Sequence, residues 1–409
     1  MSRTLAFFLA LVALSQARTL PKAECSWSIN TDLPTTQALY IIPDGPLDLK
    51  GFWLPQSGDI VTVPDAGQVL FACPGGTLTG PGTEEALLTC VGGNVFSDVN
   101  GNTYSFSSLS CSRDPFHTAI RRNGASCEIP GAYSLIDIGF QLTSGAFYKI
   151  IEICFDDATS NSLYSKYTQT NAIDGYQSGY PRPGFVQGEF YPPGLDVDFQ
   201  YSRDGQLAAV AQAVGSTSLA GQYVQASGDY FMSRGHMTAK ADFVYGSHHR
   251  ATFWFLNVAP QWQTFNGGNW NNLEMSSRTF AASYPNDLLV YTGTNGITQL
   301  PDVNGNPVDI YIAYDANGNG ILKVPYIYWR VVYDPITQNG VAFVGLNNPY
   351  NDAPGTDFYG LCTDVCSQIS WVNWSPSDQR LGFGFCCDIN ELALNVPEIP
   401  PLTVTGLLT

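Results

Sequence analysis

Residues 233–278 read SRGHMTAKADFVYGSHHRATFWFLNVAPQWQTFNGGNWNNLEMSSR, and the interpretation of the whole chain depends on this stretch. It opens with Arg234-Gly235-His236 and closes with Glu274 and Arg278. An imidazole, a carboxylate, two guanidinium groups and several amides therefore occur within one short segment. Such groups can move protons, bind a hard cation and contact phosphate oxygens. Few purely structural segments need all of them.

The stretch predicts strands followed by a helix. Residues 229–232 should run as a strand into Ser233-Arg234-Gly235-His236, with Gly235 allowing a sharp turn beneath the imidazole of His236. Residues 252–257 are β-branched and aromatic enough for a buried strand, which residues 258–261 should end. In the helix that follows, four side chains recur at i+4 steps and form one stripe, namely Asn266, Trp270, Glu274 and Arg278.

These positions predict a metal-dependent centre that acts on phosphodiesters. His236 could take a proton from water, since an imidazole titrates near neutral pH. Asn266 could offer its amide oxygen to a hard cation, Glu274 could orient a water on that cation, and Arg278 could meet phosphate oxygens. Trp270 would anchor the helix to the core. The alternative interpretation is a structural histidine beside an ordinary amphipathic helix with a Glu–Arg ion pair.

The first 17 residues, MSRTLAFFLALVALSQA, have the features of a secretory signal peptide cleaved after Ala17. Their apolar run is too short for an anchor, and no later stretch is long and apolar enough to span a bilayer. Ten cysteines in an exported chain favour disulfides, up to five, over zinc sites, although their pairing stays open. The sequence therefore predicts a soluble, secreted protein that does not associate with membranes.

The formal net charge of −17 argues against a simple nucleic-acid binder, because affinity for phosphates comes from Lys and Arg. It does not exclude a hydrolase of nucleic acids. A divalent cation supplies local positive charge, and a few arginines in a cleft can outweigh an acidic exterior. The charge therefore disfavours binding without a metal more than it disfavours metal-dependent cleavage.

Two regions differ in their patterns. Residues 18–126 combine short β-prone runs with turns rich in Gly, Pro and Asn, and predict a small all-β domain stapled by disulfides. Residues 127–409 mix strands with helices, including a helix at 206–214 with Asp204 as its N-cap, and predict an α+β domain with a largely antiparallel sheet. Residues 315–320 match half of an EF-hand loop, but a tight hairpin turn is the preferred interpretation.

The motif around His236 resembles that of the DNA/RNA non-specific endonucleases of the ββα-metal class. Their signature is R-G-H followed by N-x-x-P-Q-x-x-x-x-N-x-x-x-W-x-x-x-E-x-x-x-R. This chain supplies the R-G-H at 234–236 and then, at matching intervals, Asn257, Pro260, Gln261, Asn266, Trp270, Glu274 and Arg278. The sequence around the motif most resembles the arthropod branch, which includes secreted gut double-stranded ribonucleases of insects and duplex-specific nucleases of crustaceans.

The resemblance covers residues 127–409 well, and the N-terminal β region is also of the arthropod type. Two departures stand out. Many members carry an aspartate where this chain has Ser233, and the family's upstream arginine near the cleft has no secure match, with Lys166 as the candidate. The resemblance implies a ββα-metal nuclease domain at residues 127–409, after a signal peptide at 1–17 and a β domain at 18–126.

The resemblance also implies a set of roles. One Mg²⁺, for which Mn²⁺ could substitute, is bound directly by Asn266, and Glu274 holds a water on it. His236 acts as the general base, while Arg278 and Arg234 stabilise the transition state. Further contacts to the substrate come from Arg234, Arg278 and three other side chains, namely Lys240, Asn257 and Gln261.

The expected substrate is nucleic acid, preferably double-stranded DNA and then the DNA strand of DNA–RNA hybrids, cut with little sequence specificity to leave 5′-phosphate ends. No protein partner is implied, and the resemblance suggests a digestive lumen as the location. A double-stranded ribonuclease and a general sugar-nonspecific nuclease remain alternatives. A secreted nucleic-acid-binding protein without catalysis is the alternative of another class.

Overall fold

The computed structural model describes residues 24–409, so the predicted signal peptide lies outside the described residues. The N-terminal part is built mainly from short strands. They are β1 (Cys25–Ser28), β2 (Leu39–Ile41), β3 (Ile60–Val63), β4 (Gln68–Ala72), β5 (Glu85–Gly92), β6 (Val95–Ser97) and β7 (Thr103–Ser105). β1 pairs with β3, and the other five form one sheet in the order β2-β4-β5-β6-β7. The disulfides Cys25–Cys90 and Cys73–Cys111 cross-link this part.

The next part contains four long strands and three helices. They are β8 (Thr118–Ser126), β9 (Ser134–Gln141), β10 (Phe147–Asp156), β11 (Asn161–Gln169), α1 (Val197–Gln200), α2 (Arg203–Val214) and α3 (Thr217–Tyr223). β8 lies before the domain boundary predicted at residue 126, yet it pairs with β9. The division of the chain into domains stays a prediction.

Residues 233–278 contribute to a hairpin and a helix. The elements of this stretch are β12 (Met232–His236), α4 (Gly246–Ala251), β13 (Val258–Trp262), α5 (Gln263–Phe265) and α6 (Asn271–Ser283). A wide helical turn, Asn266–Trp270, joins α5 to α6. β12 and β13 pair antiparallel, so the order is strand, strand, helix.

The remaining elements complete a large sheet and its edges. They are β14 (Leu288–Asn295), β15 (Gln299–Pro301), β16 (Pro307–Asp309), β17 (Tyr311–Tyr314), β18 (Gly320–Lys323), β19 (Ile327–Asp334), β20 (Asn339–Leu346), α7 (Thr356–Tyr359), β21 (Gly384–Cys387), α8 (Ile389–Ala393) and β22 (Gly406–Leu407). The nine-stranded sheet of the described chain has the order β21-β20-β19-β14-β11-β10-β9-β8, with β22 beside β20. Apart from the parallel pair β20–β22, its neighbours are antiparallel, which confirms the predicted α+β class.

Several local predictions are confirmed and two are wrong. α2 ends at Gly215 in the left-handed conformation, but its N-cap is Ser202 and not Asp204, because Asp204 already lies in the first turn. Residues 252–257 are not a strand, since β13 begins only at Val258. Asn257 explains the difference: its side-chain amide hydrogen-bonds the backbone of Thr238 and Thr252 and so fixes a turn.

The hairpin at residues 315–320 is confirmed. It joins β17 to β18, which pair antiparallel. The Asp315 carboxylate accepts hydrogen bonds from the backbone N–H groups of Asn317 and Asn319, both at 2.8 Å. These bonds use the carboxylate to close the turn.

All ten cysteines form disulfides, which confirms the expected five bridges. The three outside the N-terminal part are Cys127–Cys154, Cys362–Cys387 and Cys366–Cys386. Within residues 24–409, none of the helices combines the length and the apolar character that a bilayer crossing requires.

Apolar side chains from the N-terminal strands share their core with the later elements. Tyr40 of β2 packs against Tyr245, with ring centroids 5.4 Å apart. Phe52 packs against Tyr148 of β10 and against His248 of α4. The N-terminal part is therefore packed directly against the element that follows β12.

Candidate active site

The β12–β13 hairpin places His236 at the end of a strand, as predicted. Gly235 stays within that strand opposite Ala259, so it does not make the expected turn. A Cβ on Gly235 would lie 2.4 Å from the side chain of Gln261 and 2.9 Å from the hydroxyl of Tyr328. The glycine is required by this close approach.

A wide turn, Asn266–Trp270, determines where α6 begins. Gly268 has non-helical angles, φ −100° and ψ −120°, and interrupts the path from α5 to α6. Trp270 follows it and is fully buried against Phe265 and Tyr328, which confirms the predicted anchor. The four i+4 positions are thus not on one regular helix. The turn separates Asn266 from Glu274.

One cleft brings together most of the predicted residues. It has a volume of about 400 Å³, and its lining includes Arg234, His236, Lys240, Asn266, Glu274 and Arg278. Arg182, which the sequence did not single out, lines it as well. Four cationic side chains and one carboxylate therefore line the same cleft, in a chain whose formal net charge is −17. The volume is that of a small-ligand pocket, so a polymer could enter with only one short segment.

His236 is held as a neutral imidazole. Burial lowers its pKa to about 3, and the charge of Arg182 acts in the same direction. The ring packs against Phe185 and Phe253, with centroid distances of 5.3 and 5.0 Å. Its Nε2 has no hydrogen-bond partner among the described residues. The ring is therefore neutral at every pH near neutrality, the protonation state that a general base requires.

Ser233 holds the side chain of Asn266. The Asn266 Nδ2 donates to Ser233 Oγ at 3.0 Å, and that hydroxyl donates to the carbonyl of Gln261 at 2.9 Å. Because the amide nitrogen is engaged in this way, the Oδ1 atom is the end of Asn266 that remains for a cation. The serine that replaces the more usual aspartate therefore orients the proposed ligand.

Glu274 lies in a field of mixed charge. Burial raises its pKa to about 7, and the negative charge of Asp242 adds to the rise, while Arg330, Arg278 and Arg182 oppose it. The carboxylate is thus poised between its two protonation states near neutral pH. A bound cation would favour the ionised form.

Asp242 organises the arginines behind Glu274. It is fully buried and pairs with Arg278 at 2.9 Å and with Arg330 at 3.2 Å. The hydroxyl of Tyr167 also donates to it, at 2.5 Å. Burial alone would raise the pKa of Asp242. The charges of Arg330 and Arg278 lower it by more than burial raises it, so the pKa lies below its usual value. Arg278 is therefore fixed in place by a buried charge network.

Arg234 and Lys240 line the cleft with their charges already engaged. Arg234 donates to the Asp198 carboxylate at 2.6 Å and lies within 6 Å of three aromatic ring centroids. Lys240 donates to the carbonyl of Tyr180. Burial and the charge of Arg182 lower the pKa of Lys240. A substrate phosphate would have to compete with, or share, these partners.

Three other predicted residues do not line the cleft. Asn257 and Gln261 are fully buried, and Asn257 bonds only to backbone groups. Lys166 lies on β11, where it pairs with Glu128 and Glu152. Burial excludes a direct substrate contact for Asn257 and Gln261 in this structure, so they support the hairpin instead. Lys166 does not line the cleft, where the resemblance implied an upstream arginine.

Arg182 and Asp242 are the residues that sequence reasoning missed. Arg182 lies in Tyr180-Pro181-Arg182-Pro183, which has no periodicity that a helix or strand would reveal. Asp242 lies six residues after His236, and only its tertiary partners show that it organises arginines. The one available signal was the pairing of a lone arginine with two prolines in a loop.

The oxygen donors of the cleft fit a hard divalent cation. Asn266 offers an amide oxygen and Glu274 a carboxylate, the ligands that Mg²⁺ prefers. Thiolates are excluded because every cysteine is in a disulfide. The donor set therefore matches magnesium or manganese better than a structural zinc.

Comparisons relate the sequence of this chain to several known proteins. A family model described as DNA/RNA non-specific endonuclease matches residues 133–392, a span that contains every cleft residue discussed above. The chain is similar to a salivary endonuclease of Lutzomyia longipalpis, with 27% identity over 379 residues that cover 90% of this chain and 82% of the relative. It is also similar to the salivary protein Tsal1 of Glossina morsitans morsitans, with 24% identity over 96% of this chain and 95% of the relative. A solved structure of an EndoG/EndoGI complex matches 51% of this chain and 76% of that chain, at 21% identity and a TM-score of 0.33.

Proposed function

The chain belongs to the DNA/RNA non-specific endonuclease family, and from this premise we propose that it is a secreted, Mg²⁺-dependent endonuclease that prefers double-stranded DNA. The supporting observation is that His236, Asn266 and Glu274 line one cleft together with four cationic side chains. The disulfides and the salivary relatives support secretion. The DNA strand of a DNA–RNA hybrid is the proposed second substrate.

In the proposed reaction, a water oxygen attacks phosphorus and the P–O3′ bond breaks. His236 accepts the proton of the attacking water, since its ring lines the cleft and is neutral. Arg278, which lines the same cleft and is paired with Asp242, would contact a phosphate oxygen. The 3′ oxygen takes a proton from solvent, which leaves a 5′-phosphate on the other product.

Asn266 and Glu274 would hold the cation in the cleft. When bound, a divalent cation supplies positive charge that stabilises the leaving oxygen. Asn266 is oriented for this by Ser233, and Glu274 by the charges around it. The duplex itself must lie across the mouth of the cleft, because the cleft admits only a short segment. Preference for a duplex would then come from backbone and groove shape rather than from base edges.

Removal of the imidazole tests the proposed base. We expect His236→Ala to lower kcat on plasmid DNA with Mg²⁺ by about two to four powers of ten, the usual contribution of a general base. The melting temperature should stay close to that of the unmodified protein. EDTA should abolish cleavage and added Mg²⁺ restore it. Cleavage by His236→Ala at the original rate would contradict the assignment.

The substrate preference is tested with matched duplexes. Equal lengths of DNA duplex, RNA duplex, DNA–RNA hybrid and single-stranded DNA are cleaved under identical conditions, and the products are tested for ligation without prior phosphorylation. We expect the DNA duplex to be cut fastest and the fragments to ligate. Faster cleavage of the RNA duplex would make the protein a double-stranded ribonuclease instead. Tight binding in EDTA with no cleavage in Mg²⁺ would favour a binding protein.

A further inference from the structure

A strap of irregular chain, residues 176–182, carries Arg182 to the cleft. Tyr176, Gln177 and Gly179 line the cleft along with Arg182. The strap has no helix or strand of its own, and Gly179 has a left-handed φ of +69°. Such a segment has many accessible conformations, and ordering it costs about 1–2 kcal/mol per residue. Something outside the strap must therefore hold it.

Two residues of the N-terminal part bind one end of the strap. The Oδ1 of Asn30 accepts from the backbone N–H of Ser178 at 2.9 Å and from its hydroxyl at 3.2 Å. The Asn30 Nδ2 donates to the carbonyl of Tyr176 at 3.3 Å. The buried Gln37 donates through Nε2 to Gln177 Oε1 at 2.9 Å. Three consecutive strap residues are thus tied to the N-terminal part.

A third contact from the N-terminal part lies next to Arg182. The hydroxyl of Tyr180 donates to Asp114 Oδ1 at 3.0 Å, while Asp114 Oδ2 pairs with Arg250 at 3.2 Å. On its other side, the Tyr180 ring lies against Gly246, where a Cβ would come within 2.3 Å of the ring. Tyr180 is therefore clamped between Asp114 and the start of α4.

The strap also bonds to the segment that follows His236. The backbone N–H of Gln177 donates to the carbonyl of Val244 at 2.8 Å, and that of Gly246 donates to Gln177 Oε1 at 2.8 Å. Lys240 donates to the carbonyl of Tyr180. These bonds hold the strap on the side of residues 240–246. On its other side, the strap is bound by Asn30, Gln37 and Asp114.

We propose that the N-terminal β region positions the strap, and through it Arg182, for cleavage at the His236 centre. Asn30, Gln37 and Asp114 are then positioning residues, and none of them lines the cleft with His236. The inference rests on the proposed function, since it assigns a task within the same reaction. It gives the N-terminal region a role other than an independent binding module.

The test uses the whole chain and a double-mutant cycle. We expect Asn30→Ala/Asp114→Ala to lower kcat about threefold to tenfold, the range that lost hydrogen bonds imply, with a smaller change in KM. In an Arg182→Ala background the same two substitutions should cause no further loss, because the residue that they position is gone. Equal losses in both backgrounds, or unchanged kcat in the double variant, would overturn the proposal.

Hydrogen exchange gives a readout that does not need activity. The amides of residues 177 and 178 should exchange faster in Asn30→Ala/Asp114→Ala, with the melting temperature nearly unchanged; unchanged exchange would also overturn the proposal. Asn102→Ala, which removes a hydrogen bond inside a distant turn, serves as the control. It should keep the original kcat and exchange. A wild-type chain that cleaves no nucleic acid would refute the proposed function, while the exchange result would still decide whether the N-terminal region holds the strap.

Discussion

Ser233 is the residue at which this chain departs most informatively from the usual family motif. A carboxylate at this position would bring negative charge close to a cation site. Ser233 instead passes a hydrogen bond from Asn266 to the carbonyl of Gln261. The proposed ligand is therefore oriented by a neutral chain of hydrogen bonds, and under the proposed function the negative charge at the cation would come from Glu274.

Replacing Ser233 tests this orientation. In Ser233→Ala the Asn266 amide loses its partner and can rotate, so we expect the Mg²⁺ concentration for half-maximal cleavage to rise about threefold to tenfold, as one lost hydrogen bond implies. Calorimetric titration with Mn²⁺ should show the same loss of affinity. Ser233→Thr keeps the hydroxyl and serves as the control. An unchanged Mg²⁺ requirement in Ser233→Ala would mean that Asn266 is held by other contacts.

The helical element is interrupted where the site needs it. Gly268 departs from helical angles, and the next residue, Asn269, is bound to the loop at 375–382 through Ser375 and Gly382. A regular helix would place Asn266 and Glu274 on one continuous stripe. The wide turn changes that spacing and lets Asn266 reach Ser233 on the hairpin.

A Cβ at Gly268 should damage this turn. It would lie 2.8 Å from the carbonyl oxygen of Leu381 and 2.9 Å from its Cα, which are backbone atoms that cannot move aside cheaply. We expect Gly268→Ala to lower the free energy of unfolding by about 1–3 kcal/mol, the usual cost of overpacking. Denaturant unfolding measures the change.

The neighbouring glycine provides the matched control. A Cβ at Gly267 would meet only the side-chain nitrogen of Gln263, at 3.0 Å, which is the flexible end of a side chain. Gly267→Ala should therefore change the free energy of unfolding by much less. Equal destabilisation by the two alanines would show that the contact with Leu381 does not decide the outcome.

The sequence predicted helices and strands better than it predicted the turns that connect them. Local patterns predicted the helix at 206–214, which lies within α2, and the hairpin that joins β17 to β18. The strand end at His236 and the burial of Trp270 followed from the same local patterns. The wide turn did not, because the i+4 spacing assumes a regular helix, although the pair Gly267-Gly268 could have suggested an interruption.

At the scale of the whole molecule, the fold brings four cationic side chains of an acidic chain to one cleft. The sequence could report only the sum of −17, whereas the fold brings Arg182 from a loop to the same place as Arg234 and Arg278. The strap that carries Arg182 hydrogen-bonds to residues as distant as Asn30 and Asp114. No local pattern in the sequence encodes such a long-range arrangement.

The four histidines also share one property, which only the fold confers. Burial lowers the pKa of His117 and His249 to about 4 and that of His236 and His248 to about 3. A histidine whose folded pKa is lowered stabilises the protein fully above about pH 6.5, its value in the unfolded chain. That stability is lost as the pH falls from about 6.5 towards the folded pKa. Glu274, whose pKa is raised to about 7, acts in the opposite sense and offsets one histidine.

His248 isolates this effect. Its ring lies among Phe52, Phe140 and Tyr245, and neither ring nitrogen has a partner among the described residues. We expect His248→Phe to reduce the dependence of the free energy of unfolding on pH by up to about 1.4 kcal/mol per pH unit between pH 6 and 4.5, the share of one titrating group. Urea unfolding of both proteins at several pH values measures the difference, in which Glu274 and the other histidines cancel. His248→Leu is a second variant, which removes the titrating group without placing another aromatic ring there. Identical slopes in all three proteins would mean that His248 becomes protonated without unfolding, and that its aromatic surroundings admit a charge.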